Sequence, residues 1–194
     1  MAQRVIQLVV SCVVLGTGVA VLLDASLGSD GYSTLVNGLT LATGVPFGLV
    51  NLAVGLVLIG VAWSRGTRPG LGTIVQAVVV GAVVSAVLPV LPAPTSIMVR
   101  VVELLVAFVL LTVGVAGYLA SRTGAGPAEA AALAFDPPLG FRWSYSILQV
   151  AGALIGWSLG AAVGPGTLLV VLLVGPAVDL VSRRLFGQAR VRAA

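Results

Sequence analysis

The chain repeats one turn-and-helix pattern at two places that lie 94 residues apart. Residues 70–81 read GLGTIVQAVVVG and residues 164–175 read GPGTLLVVLLVG, so each begins G-x-G-T and has a glycine eight positions after the threonine. Further pairs precede them at an offset of 96: Gly28 with Gly124, Gly44 with Gly140, and Ile59-Gly60 with Ile155-Gly156. Self-similarity at a fixed offset is the signature of a repeated structural unit. We therefore predict two repeats, one in residues 1–96 and one in residues 97–194.

The composition indicates that lipid, rather than water, surrounds most of the chain. Hydrophobic residues make up 59% of the sequence and charged residues 8%, whereas a soluble domain carries about 25% charged residues. Six apolar runs are long enough to cross about 30 Å of hydrocarbon, at residues 5–23, 47–63, 73–91, 98–119, 143–163 and 168–185. We therefore predict an all-α, polytopic membrane protein with six transmembrane helices, three in each repeat.

The distribution of arginine predicts the orientation of these helices. All ten basic residues are arginines, and a cytoplasmic N-terminus places nine of them inside and only Arg100 outside, as positively charged loops require. Because each repeat crosses the membrane three times, the second repeat enters from the opposite side. This predicts two inverted repeats in the bacterial cytoplasmic membrane with both termini in the cytoplasm, a plan shared by many secondary transporters.

The first apolar run also has the general form of a cleaved leader, with Arg4 as its basic end. We expect it to be retained, because Gly18-Val19-Ala20 within it pairs with Gly114-Val115-Ala116 in the second repeat. Cleavage would remove one of the three spans of the first repeat.

Each repeat has a short helical segment after its first span, at residues 27–39 and 123–135. Ser29 or Asp30 is placed to cap the first segment. Pro127 suits an early helical position of the second, with Glu129 near the positive end of the helix dipole. Segments of about three turns are too short to span a bilayer. They lie either at the membrane interface or fold back into the bundle as half-helices.

Several of these segments resemble the YczE-like bacterial membrane proteins, which are related to the YitT group. The similarity lies in Gly28-Ser29-Asp30, Thr43-Gly44, the turn at residues 68–73 and the Gly-Pro-Ala-Val-Asp run at residues 175–179, and it covers most of the chain. The resemblance implies a polytopic fold in a family without an established activity, for which transport is often supposed. Gly31, Gln76 and Ser85 depart from the Pro, Asn and Asp typical of the family.

Polar side chains inside membrane helices are costly and usually face the protein interior. Asn51, Gln76 and Gln149 lie early in the second, third and fifth spans, with Asn51 and Gln149 in similar places of the two repeats. They either line a substrate cavity between the repeats or hold helices together, at about 1 kcal/mol for each pair. Asp179 either couples ion or proton movement or pairs with Arg183. Asp30 either caps its helix or meets a cationic solute.

Two further sets of residues have both a binding and a packing interpretation. Each G-x-G-T turn presents backbone N–H groups at a helix start, through Gly72 and Thr73 in the first repeat and Gly166 and Thr167 in the second. Such a turn either binds an anion or caps its helix. Gly152, Gly156 and Gly160 form a GxxxGxxxG face that allows another helix to approach closely, from this chain or from a second subunit.

These observations favour a small secondary transporter or permease for a small solute or ion, with lipid around it and a homodimer compatible with its size. The alternatives are a non-transporting membrane scaffold or accessory subunit that binds a partner through the fifth-span glycines, and a channel. With no histidine and no acidic pair in the sequence, we predict neither an enzyme nor a metal or other cofactor. The dispersed arginines do not indicate nucleic-acid binding.

Overall fold

The computed structural model describes residues 2–136 and 138–186, and within these ranges all regular structure is helical. Eight α-helices follow one another: α1 (Ala2–Ala25), α2 (Gly31–Thr43), α3 (Phe47–Ser64), α4 (Leu71–Val87), α5 (Ile97–Ala120), α6 (Pro127–Leu133), α7 (Phe141–Ser158) and α8 (Pro165–Phe186). A single 3₁₀ turn, Leu88–Val90, extends α4. The predicted all-α class is therefore confirmed.

Five of these helices are long and apolar enough to cross a membrane. They are α1, α3, α4 with its 3₁₀ extension, α5 and α8, and their mean hydropathy lies between 1.8 and 2.4. The remaining predicted span, the fifth, corresponds to α7, which begins with the mixed stretch Phe-Arg-Trp-Ser-Tyr-Ser and ends at Ser158. It does not reach residue 163 as predicted, because the chain turns at Gly160 with φ at 95°, a conformation that ends a helix.

Large apolar side chains cover the outside of the bundle as well as its core. The core lies along α1 and α5 and contains Leu8, Leu15, Leu111 and Tyr118. On the outer surface Val57 and Leu172 are each 65% exposed, as are many other aliphatic side chains of the long helices. An apolar surface of this extent requires lipid contact, so the membrane location is supported.

The two halves contain the same order of helices, α1 to α4 and α5 to α8. The first helix of each half has 24 residues and the third has 18. Phe47 corresponds to Phe141 and Ser64 to Ser158, an offset of 94. The predicted pairs Gly44 with Gly140 and Ile59-Gly60 with Ile155-Gly156 are therefore wrong by two positions. The slip occurs earlier: α2 and α6 begin 96 residues apart, whereas α3 and α7 begin 94 residues apart, so the segment from α6 to α7 is two residues shorter than that from α2 to α3.

The first helices of the two halves, α1 and α5, pack antiparallel against each other. A Cβ atom built on Gly18 would lie 3.0 Å from the backbone nitrogen of Leu111. A Cβ atom built on Gly114 would lie 2.7 Å from the backbone nitrogen of Leu15. Residues 18 and 114, like residues 15 and 111, are 96 positions apart, so the contact is reciprocal. A reciprocal contact of this kind is typical of a local two-fold axis.

The two G-x-G-T turns join each half of the chain to the other. The Gly72 N–H donates to the carbonyl of Thr123, and the Gly166 N–H donates to the carbonyl of Leu27, both at 2.9 Å. We call these two contacts the clasps. Each clasp lies next to a glycine with positive φ, Gly28 at 102° and Gly124 at 127°. The chain turns at these glycines instead of continuing as a helix.

The threonines of the turns cap the helices that follow the clasps. The hydroxyl of Thr73 accepts from the Gly70 N–H at 3.1 Å and donates to the carbonyl of Ala125. The hydroxyl of Thr167 accepts from the Gly164 N–H at 3.4 Å. Together with the clasps, these bonds occupy N–H groups that an anion would need, so the geometry favours capping over anion binding at both turns.

Candidate functional site

Both short helices begin inside the bundle, level with the middle of a long helix from the other half. A Cβ atom built on Gly31, the first residue of α2, would overlap the backbone of Gln149, which is the ninth of eighteen residues in α7. The Cγ atom of Pro127, the first residue of α6, lies 3.7 Å from a Cβ built on Gly55, the ninth of eighteen residues in α3. Both segments therefore fold back into the bundle as half-helices.

The two half-helices leave this central region in opposite directions. Along α2, Gly38 lies against Gly156 near the end of α7. The end of α6 lies beside the end of α3, where the Arg65 Nε donates to the carbonyl of Ala134 at 3.0 Å. The end of α3 and the start of α7 line one cavity together, so α3 and α7 are antiparallel. The N-termini of α2 and α6 consequently face each other near the centre of the bundle.

Glycines allow α2 to approach α7 at backbone distance. A Cβ atom on Gly152 would lie 2.5 Å from the carbonyl oxygen of Gly31, and one on Gly156 would overlap that of Thr34. Two of the three glycines predicted to form a packing face are therefore in contact within this chain. Gly160 is not part of that face, because α7 ends before it and a Cβ there would meet nothing within 4 Å.

Polar residues from several helices surround the two N-termini, and we call them the central polar cluster: Tyr32, Asn51, Gln76, Tyr118, Glu129, Tyr145 and Gln149. The Gln149 Oε1 accepts from the backbone N–H of Tyr32 at 2.9 Å, and its Nε2 donates to the Tyr145 hydroxyl at 3.1 Å. The first N–H groups of a helix have no partner within the helix. Gln149 therefore supplies a cap to α2 from the other half of the chain.

Asn51 holds α2, α3 and α4 together. Its Oδ1 accepts from the Tyr32 hydroxyl at 3.0 Å and its Nδ2 donates to the carbonyl of Ala77 at 2.7 Å, while the residue is 2% exposed. The predicted equivalence of Asn51 and Gln149 is wrong. At the offset of 94 that relates α3 to α7, Tyr145 occupies the place of Asn51, and Gly55 is the counterpart of Gln149.

A carboxyl group and an amide oxygen face each other on the α6 side of the cluster. The Glu129 Oε1 accepts from the Tyr118 hydroxyl at 3.2 Å. A Cβ atom built on Gly126 would overlap Oε1 of Gln76 and lie 2.5 Å from Oε2 of Glu129. The Gln76 Oε1 is buried and has no hydrogen-bond partner among the described residues. Burial is the largest influence on the pKa of Glu129 and raises it, because desolvation disfavours the carboxylate.

Glu129 is the cluster member that the sequence interpretation missed, since it was assigned only to the helix dipole. An acidic residue two positions after Pro127, in a segment flanked by two apolar spans, is the signal that would have identified it. Acidic residues at membrane depth are rare and usually functional.

The two aspartates proposed from the sequence occupy different places, Asp30 beside the central polar cluster and Asp179 in α8. The Asp30 Oδ2 accepts from the backbone N–H of Ser33 at 3.0 Å, so this side chain is the N-cap of α2. Asp179 belongs to α8, which contributes no member of the central polar cluster. Within residues 2–136 and 138–186 no arginine nitrogen lies within 4.0 Å of a carboxylate oxygen, so the expected ion pair of Asp179 with Arg183 is not formed.

A cavity of about 260 Å³ opens between the loop that precedes α2 and the second half of that helix. Its polar groups come from Ser26, Ser29 and Asn37, and the remaining lining is Leu22, Leu23, Gly28, Leu41, Leu88, Gly160 and Ala162. A second cavity of about 210 Å³, between α3, α6 and α7, is lined almost wholly by apolar side chains. Of these two cavities, the first is the one that is lined by several hydroxyl and amide groups.

Comparison with known proteins gives a family without an assigned activity. The profile of the Family of unknown function (DUF6198) matches residues 2–183. An "Uncharacterized protein" of Haemophilus influenzae is 27% identical over 168 residues, which cover 86% of this chain and 77% of the relative. The "Uncharacterized membrane protein YczE" of Bacillus subtilis is 23% identical over 168 residues, covering 84% and 78%. No solved structure matches. The predicted resemblance to YczE-like proteins is confirmed.

Proposed function

The chain is a membrane protein that belongs to the DUF6198 family, and we propose that it is a small secondary transporter built from two inverted repeats. The observation that carries the proposal is the pair of half-helices whose N-termini face each other at the centre of the bundle. In inverted-repeat transporters, discontinuous helices of this kind meet near the membrane midplane and form the solute site. Irregular backbone at that depth is tolerated where it lines a cavity or is buried in protein.

The reciprocal contact of α1 with α5 supports the inverted arrangement. Both helices are long enough to span the bilayer, and an axis that exchanges two antiparallel spanning helices lies in the plane of the membrane. In one clasp the first half of the chain donates to the second, and in the other clasp the second half donates to the first, as the same axis requires. The arginine distribution favours cytoplasmic termini; Arg190 and Arg192 lie outside the described residues.

The inverted arrangement predicts that the loops before α4 and α8 lie on opposite sides of the membrane. We expect Thr67→Cys to react with an impermeant maleimide only after the cells are opened, and Val163→Cys to react in intact cells. Both variants are made with Cys12→Ala, since Cys12 is the only cysteine and is buried. Reaction of both positions from the same side would exclude the inverted repeat.

The cavity beside α2 is the proposed solute site. Its lining includes hydroxyl and amide groups and no charged side chain, which favours a small polar solute without net charge. Binding there would contact Asn37 and Leu41 of α2. The start of this helix is held by Gln149 and Asn51 through their bonds to Tyr32. Tyr32, Asn51 and Gln149 therefore connect α2, which lines the proposed solute site, to helices of both halves of the chain.

Ligand-induced stabilisation tests this proposal directly. The purified protein is melted in detergent against sugars, polyols, amides, amines, organic acids, ions and lipids. A ligand at 100 times its Kd adds about 2.7 kcal/mol to the free energy of unfolding. We expect a saturable rise in Tm with one class of polar solute, and at least a tenfold weaker Kd in Asn37→Leu, whose side chain lines the cavity.

The matched control is Gln149→Leu, which leaves the Tyr32 N–H without its acceptor. It should lower the Tm of the ligand-free protein, since an unsatisfied buried donor costs about 1–3 kcal/mol, whereas Asn37→Leu should not. A Tm that rises only with lipids would reject the transporter and favour the membrane scaffold.

A further inference from the structure

We propose that Glu129 holds a proton between its Oε2 and the amide oxygen of Gln76, and that loss of this proton separates α6 from α4. The coupling of proton release to solute movement rests on the proposed transport function, whereas the proton site itself does not. The site is formed by three elements, with Glu129 from α6, Gln76 from α4 and Tyr118 from α5.

The Gln76 Oε1 at this site needs a hydrogen-bond donor. An amide oxygen only accepts, and so does an ionised carboxylate. With Glu129 ionised, the two oxygens that lie beside Gly126, Oε2 of Glu129 and Oε1 of Gln76, are both acceptors, and the Gln76 Oε1 stays without a partner among the described residues. A protonated Glu129 donates from Oε2 to the Gln76 Oε1 while its Oε1 still accepts from Tyr118. Protonation therefore provides a donor for the Gln76 Oε1.

The charges that face Glu129 also favour the protonated form. Electrostatic interactions connect it with Asp30 at the start of α2, with Tyr32 of α2 and with Tyr145 of α7. All of these groups are neutral or negative, so none stabilises a carboxylate by opposite charge. A hydrogen bond from its own backbone N–H and the Tyr118 hydrogen bond lower the pKa of Glu129, but burial outweighs them and raises it.

The arginines on the helices around α6 are engaged or exposed elsewhere. Arg65, at the end of α3, donates to the carbonyl of Ala134 and lies 4.3 Å from the centre of the Phe135 ring, at the opposite end of α6 from Glu129. Arg142, in the first turn of α7, is exposed. The α4 helix carries no charged residue, so no described cation on these elements pairs with Glu129.

Proton release at this site acts on the start of a half-helix. Glu129 lies in the first turn of α6, and Pro127 of the same turn contacts Gly55 beside the Tyr32 hydroxyl. Deprotonation would leave two facing acceptors in a buried space, which repel each other. The contact between α6 and α4 would then open toward the central polar cluster, where α2 also begins.

Infrared difference spectroscopy tests the proton site without a solute. The protein in lipid nanodiscs is titrated from about pH 4 upward, and the carboxylic C=O band is followed. We expect a band that persists above the ordinary glutamate pKa of about 4.3 and disappears in Glu129→Gln. Should that variant not fold, Glu129→Asp assigns the band by shifting it. Absence of a Glu129 band at pH 5 to about 7 would overturn the proposal. It would indicate that Glu129 is ionised and that the Gln76 amide is turned so that its NH₂ group donates to the carboxylate.

The dependence of Tm on pH provides a second readout. Because the pKa of Glu129 is raised in the folded protein, its contribution to stability is complete below the ordinary pKa and is lost as the pH rises through the raised value. A tenfold weaker folding equilibrium, which is the effect of a difference of one pKa unit between the folded and unfolded states, lowers the Tm by about 3–5 °C for a chain of this size.

The matched control for this readout is Glu129→Gln, whose amide donates at every pH and should remove this slope. Equal slopes in the two proteins would overturn the proposal. If the infrared band of Glu129 and the pH slope of Tm are both found but no solute raises the Tm, the transport function is rejected and the proton site is retained.

Discussion

Gly156→Ala will lower the free energy of unfolding by about 2–3 kcal/mol, because the added methyl group has no space at the contact of α7 with α2. A Cβ atom there would overlap the carbonyl oxygen of Thr34 and lie 2.8 Å from the backbone nitrogen of Leu35. Overpacking a close contact costs about 1–3 kcal/mol, and here the opposing atoms belong to a helix backbone that cannot rotate away. Equilibrium unfolding in mixed micelles measures the loss.

The chain contains a matched control for this substitution. Gly60 also lies inside a long helix, and a Cβ atom built on it would meet nothing within 4 Å. Alanine is favoured over glycine in a helix by up to about 1 kcal/mol, so Gly60→Ala should leave the stability unchanged or raise it. Equal effects of the two substitutions would show that α2 does not pack against α7 at backbone distance.

Gly28→Ala will destabilise the protein by about 3 kcal/mol, because it disturbs both the backbone turn and the clasp beside it. Gly28 has φ at 102°, and a left-handed conformation costs other residues about 1–2 kcal/mol. A Cβ atom would also overlap the Thr167 hydroxyl and lie 2.6 Å from the backbone nitrogen of Gly164. The start of α8 would have to move away from the loop between α1 and α2.

Gly66→Ala separates the two contributions to this loss. Gly66 has φ at 91°, and a Cβ atom on it would meet nothing within 4 Å, so alanine should cost only the backbone term of about 1–2 kcal/mol. The difference between the two variants, measured in the same unfolding assay, is the energy of the contact at the clasp. A difference near zero would contradict the role of this clasp in joining the halves.

The contacts made by the α7 glycines also bear on the scaffold hypothesis. That hypothesis requires Gly152 and Gly156 to be available to another protein, but both lie against α2 of the same chain. A partner would have to use a different surface, such as the outward aliphatic side chains of the long helices. The glycine face therefore supports an internal packing function, and Gly156→Ala tests folding rather than partner binding.

The sequence predicts the helical class, the apolar segments and the repeated turns, because each of these features depends on residues that are close together in the chain. The apolar runs predict α1, α3, α4, α5 and α8, and the G-x-G-T pattern locates the starts of α4 and α8. The Gly-rich turn and Asp30 predict the start of α2, where the aspartate is the N-cap. Local spacing and capping chemistry suffice for these features.

The partners of the half-helices were decided only by the tertiary structure. Nothing in the spacing of residues 27–39 indicates that α2 packs against α7, or that Gln149 caps it. The offset of 94 also had to be read from the bounds of α3 and α7 before Asn51 could be matched with Tyr145. Contacts between distant segments leave no periodic signal in the sequence, since they depend on which backbones approach each other.

Glu129 illustrates the same division between local and distant information. The sequence places it in the first turn of a short helix, and helix-dipole chemistry accounts for a solvated glutamate there. Its burial, its bond to Tyr118 and the facing amide of Gln76 arise from α4 and α5. The residues of the chain therefore determine by themselves a helical membrane protein. The folding of each half onto the other decides which polar groups lose water, because burial depends on neighbours that are remote along the chain.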